Sequence, residues 1–318
     1  MSRQLEVDTF VPGLESAQPL VAQGAQVVQG AANNFQKAKK ANPPLKALSA
    51  LARKLLRYLA GPTLWLNLTG LVGFVALWHL LTNVFKLPLF DKLPGPGETV
   101  REWFSRNPTY GLSIFTFEYY QHIGLSCLRV FLAFLLATGL GVPLGLLMGW
   151  KKTFSDYTFP VLELLRPIPM LAWVPLAILM WPGRESSIVF LTFLGSFFAT
   201  LLNSWLGVKS IDKAYFRAAA SLGASESLIF RKVVWPGAMP FVFTGLQISM
   251  GYAWFSLVAG EMLAGEFGLG YLIWDSYILV QYPVIIIAMF TLGLVGSLSS
   301  LLIRLLGDFL IRWQVRGA

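Results

Sequence analysis

The chain has 318 residues, of which 55% are hydrophobic and only 13% are charged, and its mean hydropathy is +0.61. Because a soluble domain is roughly 25% charged, this composition indicates a membrane protein and excludes collagen-like, disulfide-scaffold and disordered chains. One cysteine and two histidines make a metal site unexpected, and the net charge of +9 indicates membrane orientation rather than a nucleic-acid partner.

Residues 1–60 differ from the rest of the chain and are predicted to form a separate N-terminal tail. Seven lysines and arginines lie between Lys37 and Arg57, and leucines recur among them at helical spacing. This pattern predicts a basic amphipathic helix, from about Lys46 to Arg57, lying on the cytoplasmic membrane surface and binding lipid. A solvated tail is the alternative, and it stays open for the residues before Pro43.

Residues 61–318 are predicted to form a single transmembrane domain. A spanning helix needs about 20 mostly apolar residues, and the runs are continuous rather than alternating, which excludes a β-barrel. The third run carries Pro167, Pro169 and Pro175, so that helix is expected to be kinked. The sequence therefore predicts an all-α membrane protein with six spans, at 63–84, 122–150, 159–181, 187–207, 240–263 and 282–306.

The distribution of basic residues predicts the orientation of these spans. If the N-terminus is cytoplasmic, the inside segments hold 18 of the 25 lysines and arginines, and the outside segments hold five. Eight of the 18 come from the tail. Without the tail, the inside segments still hold more lysines and arginines than the outside segments. Since basic residues concentrate in cytoplasmic loops, both termini are expected to be cytoplasmic.

Charged residues inside the spans are candidates for a transport pathway, because a charge in lipid is costly. Arg129 has two interpretations, contact with a translocated anion or a structural pair with a carboxylate, and the pair is favoured. Glu163 and Arg166 are three residues apart, which favours a structural or gating pair. The full set of pathway candidates is Arg129, Glu163, Arg166, Ser249, Trp254, Ser256 and Glu261, although a packed core is the safer interpretation for Ser249, Trp254 and Ser256.

The polar segment 208–239 interrupts the hydrophobic pattern between the fourth and fifth spans. A helix is predicted from Lys213 to Leu222, ended by Gly223, where a left-handed backbone costs little. Ser225 can then cap a second helix, which is expected to end near Trp235 because Pro236 follows. The sequence thus predicts a helix, a tight turn and a second helix.

This segment resembles the loop that the permease subunits of ABC importers carry. The family pattern is Glu-Ala-Ala, three residues, Gly, nine residues and Ile-x-Leu-Pro. Here Ala218 and Ala219, Gly223 and the stretch 233–236 keep that spacing, while Arg217 replaces Glu, and Val and Trp replace Ile and Leu. The resemblance implies a coupling helix that docks on an ATPase, through Arg217, Ala218, Ala219, Ser221, Leu222, Gly223, Ala224, Ser225 and Pro236. An ordinary hairpin between two spans is the alternative.

Three further stretches resemble one branch of that family, the permeases for nitrate, bicarbonate, taurine and alkanesulfonates. They are Leu164–Leu176, Gly245–Met262 and Gly265–Tyr271. The resemblance covers roughly residues 63–316 and implies the six-helix type I ABC importer (MetI-like) fold in a bacterial inner membrane. It also implies transport of a small anion or zwitterion, together with a second permease copy, two ATPase subunits and an extracytoplasmic binding protein.

The sequence offers no nucleotide-binding motif of its own. A P-loop needs Gly-x4-Gly-Lys-Ser/Thr, and the nearest stretch, Gly145–Thr153, has an inserted tryptophan and lies at the end of a span. ATP and magnesium are therefore expected on partner ATPase subunits, and no cofactor on this chain. A secondary transporter of a small organic anion, driven by an ion gradient, is the alternative function. Such transporters usually have paired inverted repeats, and six spans with one cytoplasmic coupling loop fit that class poorly. An intramembrane enzyme is disfavoured because the spans show no catalytic pair.

Overall fold

The structure, a computed structural model, describes residues 62–85, 88–90 and 92–311. The chain divides into two compact units, Met1–Leu77 and Trp78–Ala318. In the first unit the described part begins a helix at Pro62. The basic helix predicted at residues 46–57 lies outside the described residues, so it stays a prediction.

All regular elements in the described ranges are helical, as the composition predicts. Two turns of π-helix, Leu80–Val84 and Phe230–Val234, and two 3-10 turns, Pro88–Phe90 and Met170–Trp173, interrupt the α-helices. The α-helices of the described ranges are α1 (Pro62–His79), α2 (Pro96–Trp103), α3 (Phe117–Trp150), α4 (Lys152–Leu165), α5 (Val174–Met180), α6 (Arg184–Lys209), α7 (Lys213–Ser221), α8 (Glu226–Ile229), α9 (Trp235–Ala264), α10 (Leu269–Ile278) and α11 (Tyr282–Leu310).

Five helical stretches of the described chain are long and apolar enough to cross a membrane. They are Trp65–Val84, Phe117–Trp150, Arg184–Lys209, Glu226–Ala264 and Tyr282–Leu310. A sixth candidate is the pair formed by α4 and Met170–Met180, which pass the same test together but are bent by 92° at the break between them. Five of the six predicted spans thus match single long helices, and the third corresponds to this bent pair, which is broken rather than merely kinked. Pro167 and Pro169 explain the break, since proline donates no hydrogen bond and disfavours helix in the residue before it.

The prediction that a helix ends near Trp235 is wrong. Helical structure continues from Glu226 through Ala264, and Pro236 lies in the first turn of α9. The π-helical turn Phe230–Val234 precedes it, and the amide of Trp235 donates to the carbonyl of Phe230. Proline is tolerated in the first turn of a helix, because its missing donor has no obligatory partner there.

Helix α6 is the central element of the second unit and packs against both α3 and α9. Small residues allow these helices to approach closely, as is typical of membrane helices. A Cβ atom added to Gly145 of α3 would lie 2.7 Å from the Cβ of Ser204 and 3.1 Å from the backbone nitrogen of Trp205. Gly195 of α6 lies equally tightly against Ser256 of α9.

We expect a Gly145→Ala substitution to destabilise the protein by about 1–3 kcal/mol, because the added methyl group meets the backbone of α6. Gly139 is the matched control on the same helix, since a Cβ atom there has nothing within 4 Å. Gly139→Ala should be neutral or stabilising by about 0.5–1 kcal/mol. Thermal unfolding of the two variants in detergent checks this, and equal midpoints would contradict the close contact between α3 and α6.

Candidate functional site

The segment between α6 and α9 forms the predicted helix–turn–helix. Helix α7 ends at Ser221, and Gly223 follows with φ +75°. The amide of Gly223 donates to the carbonyl of Ala220 at 2.9 Å, and the amide of Ala224 donates to the carbonyl of Ala219 at 3.1 Å. These two bonds are the Schellman arrangement, which satisfies the free carbonyls at a helix end and favours glycine in the left-handed position.

Both helices of this hairpin begin with side-chain caps. The carboxylate of Asp212 accepts from the amide of Ala214 at 2.8 Å, and the hydroxyl of Ser225 accepts from the amide of Leu228 at 3.4 Å. The predicted cap at Ser225 is confirmed. Glu226, the first residue of α8, also binds the ammonium of Lys151 at 2.5 Å, which links the hairpin to the end of α3.

The turn of the hairpin projects away from the rest of the described protein. The side chain of Leu222 is 88% exposed, and a Cβ atom on Gly223 would have nothing within 4 Å. The capped turn therefore presents Leu222 and its small neighbours to a surface that the rest of the described chain leaves open. The predicted coupling residues Arg217, Ala218, Ser221, Leu222, Gly223 and Ser225 are exposed, whereas Ala219, Ala224 and Pro236 are half-buried.

Aromatic stacking holds the base of the hairpin against α3. The ring of Trp150, the last residue of α3, lies 5.9 Å from the ring of Phe216 in α7 and 6.1 Å from that of Phe230. The ammonium of Lys151 lies 5.8 Å from the Trp150 ring, within the range of a cation–π contact. The hairpin is therefore fixed to one long helix by ring packing and by an ion pair.

At the other end of the bundle, Arg129 of α3 is 2% exposed and pairs with two carboxylates. Its Nη1 donates to Oε1 of Glu261 at 2.7 Å. Its Nε and Nη2 donate to Glu185 at 2.7 and 2.5 Å, respectively, in a bidentate arrangement. Of the two interpretations of Arg129, the pair with a carboxylate is the one present here. Bidentate pairing of this kind adds geometric specificity to the attraction.

Glu261 is fully buried, and polar groups of the segment after α9 surround it. Its carboxylate accepts from the Ser126 hydroxyl at 2.8 Å and from the amide of Gly270 at 2.8 Å. The Ser126 hydroxyl in turn accepts from the amide of Leu269 at 2.8 Å, and Arg129 donates to the carbonyl of Phe267 at 2.6 Å. The network thus fixes the turn between α9 and α10 onto α3.

Gly268 occupies the tightest point of this turn. It has φ +125°, and a Cβ atom there would overlap the Glu261 carboxylate. Its amide lies 3.0 Å from Nδ1 of His122. A left-handed backbone beside a buried carboxylate can be adopted cheaply only by glycine, so the turn depends on this residue.

The other predicted pathway residues of α9 are buried among helices. Ser249 donates to the carbonyl of Leu246 at 3.1 Å, and the indole of Trp254 donates to Ser299 at 2.9 Å. The hydroxyl of Ser256 has no hydrogen-bond partner within the described chain and packs on Gly195. Ser249 and Ser256 fit the packed-core interpretation, whereas Trp254 also lines a cavity. A pathway role for any of the three stays a prediction.

The predicted pair between Glu163 and Arg166 is not formed in the described chain. The ion pairs within 4.0 Å in the described ranges include neither residue, and both side chains are exposed. Arg166 directly follows the last residue of α4 and keeps a helical backbone, and its amide donates to the carbonyl of Leu162 at 2.9 Å. The physical reason is exposure, because an ion pair between two exposed side chains contributes little free energy.

Two cavities flank an exposed row of side chains on α9. This ridge consists of Ile248, Tyr252 and Phe255, at helical spacing. The larger cavity, of about 990 Å³, lies between α9 and α11, and Gln247 and Trp254 are among its lining residues. The smaller cavity, of about 510 Å³, is lined by the turn at Arg166, by α6 and by the ridge.

Several residues of these sites were missed by sequence reasoning. Glu185 pairs with Arg129, and the ring of Trp150 packs against the hairpin. Each of the two lies far along the chain from its partners. Asn203 and Tyr252 line the smaller cavity. The available signals were weak, namely an acidic residue at the start of a span and polar or aromatic residues within spans.

The chain resembles known proteins over most of its length. A family model described as "Binding-protein-dependent transport system inner membrane component" matches residues 141–317. The taurine transport system permease protein of Escherichia coli is 32% identical, over 74% of this chain and 85% of the relative. The nitrate import permease protein of Synechocystis is 35% identical, over 58% and 68%. The bicarbonate transport system permease protein of Synechococcus elongatus is 31% identical, over 79% and 90%.

A solved structure has the same fold. The inward-facing MetNI methionine ABC transporter contains a chain that aligns with a TM-score of 0.53 and 18% identity. The alignment covers 64% of this chain and 100% of that one. At this identity the likeness concerns the fold alone, and it agrees with the helical arrangement described above.

Proposed function

The chain belongs to the family of binding-protein-dependent transport system inner membrane components, and on that premise we propose that it forms the translocation pathway of an ATP-driven importer for a small anion. It is a permease subunit, not the ATPase, and lies in the inner membrane as a multi-pass protein. ATP and magnesium bind to separate ATPase subunits. An extracytoplasmic binding protein delivers the substrate.

The single observation that carries the coupling role is the exposed turn at Gly223. A Schellman-capped turn presents Leu222, which is 88% exposed, beside small residues that permit close approach to a partner. We propose that this turn enters a cleft on the ATPase, and that Arg217, Ala219, Ser221 and Ser225 surround the contact. The aromatic packing of Trp150 supports the proposal, since a docking element must be fixed to the spans that it moves.

The proposed substrate class follows from the relatives, which are permeases for taurine, nitrate and bicarbonate. These three molecules share an oxygen-rich anionic group on a small framework. We therefore propose that the substrate of this chain carries such a group, as nitrate, bicarbonate or a sulfonate does. The binding protein does most of the selection in an importer of this type.

Two copies of the permease are proposed in each complex. An ABC ATPase works as a dimer with two clefts, whereas one chain carries one hairpin. The ridge Ile248–Tyr252–Phe255 is exposed between two cavities on α9, and a second copy facing this ridge encloses them as one pathway. A purified complex with one permease and one ATPase would contradict this stoichiometry.

The proposed orientation gives a direct prediction. A cysteine-alkylation or fluorescent tag at residue 318 should report the cytoplasm, and a tag at Asn107, between α2 and α3, should report the outside. The reason is the concentration of basic residues in the inside segments. Labelling of intact cells with a membrane-impermeant reagent checks both positions, and protection of residue 107 together with labelling of residue 318 would invert the orientation.

Reconstituted uptake tests the function as a whole. The chain is purified with the ATPase and placed in vesicles together with the binding protein and ATP. Labelled taurine, nitrate or bicarbonate should then accumulate only when ATP and the binding protein are both supplied. Uptake that follows an imposed ion gradient without ATP would favour a secondary transporter instead.

A further inference from the structure

Arg166 lies at the break of the third predicted span, and its side chain is exposed within the described chain. Helix α4 begins at Lys152, directly after α3 ends, and runs for 14 residues before Arg166. At 1.5 Å per residue, Arg166 therefore lies about 21 Å along this helix from Lys152. A cation inside a membrane span is costly unless it faces a partner or a polar cavity.

The described chain provides no partner for this charge. In residues 62–85, 88–90 and 92–311, Arg166 belongs to none of the ion pairs within 4.0 Å. Its neighbour Glu163 lines neither of the two cavities beside the ridge. This contrasts with Arg129, which has two carboxylates and a carbonyl as acceptors. The two in-span arginines are therefore in opposite situations, one neutralised and one not.

Arg166 lines the smaller cavity, of about 510 Å³, together with two further polar side chains. Asn203 donates one amide hydrogen to the carbonyl of Ala199 at 2.8 Å and retains the other. Tyr252 is exposed on the ridge and carries a hydroxyl. The remaining lining is mostly apolar, and a low dielectric strengthens the attraction between the guanidinium and an anion.

We propose that Arg166 determines the specificity of the pathway for anions, by binding the oxygen-rich group of the substrate in this cavity, with Asn203 and Tyr252 as neutral donors. The proposal rests on the proposed function, since it requires that the chain transports a small anion. A single cation with neutral donors suits transport, because binding must be strong enough for entry and weak enough for release. Arginine suits the ligand, because its fork of donors matches the oxygens of a planar or tetrahedral anion.

The experiment uses the reconstituted complex of permease, ATPase and binding protein, with labelled taurine, nitrate and bicarbonate as probes. Arg166→Gln should lower the maximal rate of uptake by about 10- to 100-fold, the equivalent of one hydrogen-bonded charge. The apparent KM should change little, because the binding protein sets it. Arg166→Lys keeps the charge and should retain more uptake than Arg166→Gln. Tyr252→Phe removes one hydroxyl alone and should lower uptake less.

Matched controls separate this role from a structural one. Arg184→Gln removes the same charge from a surface pair with Glu266 and should leave uptake unchanged. All rates are normalised to the amount of complex that co-purifies with the ATPase. Parent-like uptake by Arg166→Gln overturns the proposal. Recovery of uptake in the double variant Glu163→Gln, Arg166→Gln also overturns it, because Arg166 would then serve only to neutralise Glu163.

The parent complex itself shows whether a negative result concerns the proposed function or only the role of Arg166. If the parent complex accumulates none of the three probes although ATP is hydrolysed, the proposed substrate class is wrong, and the anion subsite fails with it. If the parent accumulates a probe and all four single variants behave alike, the importer assignment stands and the role of Arg166 is wrong.

Discussion

A Gly223→Val variant is expected to reach the membrane in the same amount as the parent chain and to lose most of its uptake. Gly223 has φ +75°, and a β-branched residue in this conformation costs about 1–3 kcal/mol. A side chain there meets open space within the chain, so the bundle itself is not disturbed. The substitution changes the shape of the turn and the surface that is proposed to contact the ATPase.

The measurement for Gly223→Val is uptake together with co-purification of the ATPase, both normalised to membrane expression. Gly111 provides a matched control, because it has φ +78° and equally open surroundings but lies in the segment between α2 and α3. Gly111→Val carries the same local strain and should retain the ATPase. Parent-like uptake and ATPase recovery for Gly223→Val would show that this hairpin is an ordinary connection.

Replacing Arg129 by alanine is expected to destabilise the protein by about 3–5 kcal/mol. The substitution leaves the Glu261 carboxylate fully buried without its counter-charge, and breaking one side of a buried pair has a cost of this size. Glu185 contributes less, because its side chain is 68% exposed and can be hydrated. The turn between α9 and α10 should loosen as well, since Arg129 also binds the carbonyl of Phe267.

Thermal unfolding in detergent and proteolysis of the turn at residues 265–270 measure this effect. Arg184→Ala is the control, because Arg184 pairs with Glu266 at the surface, where both side chains are largely exposed, and such pairs contribute about 0–1 kcal/mol. The double variant Arg129→Met, Glu261→Met should recover part of the lost stability, since it removes both buried charges. Equal midpoints for Arg129→Ala and Arg184→Ala would contradict the importance of the buried network.

Features set by neighbouring residues were predictable from the sequence, and features set by distant contacts were not. The turn at Gly223 and the cap at Ser225 depend on a few adjacent residues, so their spacing revealed them. The pairing of Arg129 with a carboxylate was favoured from the cost of burying a charge. Its partners, Glu185 and Glu261, lie 56 and 132 residues away along the chain, and composition and spacing carry no information about them.

Two predictions that the structure corrects concern the effect of proline on a helix. At Pro236 the sequence predicted a helix end, but a π-helical turn allowed the chain to continue into α9. At Pro167 and Pro169 it predicted a kink, but the chain breaks and bends by 92°. Proline removes one donor wherever it stands, and the surrounding packing decides whether the helix continues or stops.

Helix α3 joins the two ends of the protein, with Trp150 stacked on the hairpin at one end and Arg129 in the ion-pair network nearer the other. The 21 residues between them correspond to about 32 Å, so a tilt of roughly 10° displaces one site by ~5 Å relative to the other. The helix has one intrinsically weak point, because Pro143 cannot donate to the carbonyl of Gly139. Any movement of the hairpin that the ATPase produced would therefore reach the ion-pair network only through this weak point of α3, so the stiffness of the helix around Pro143 would set how much of the movement arrives there.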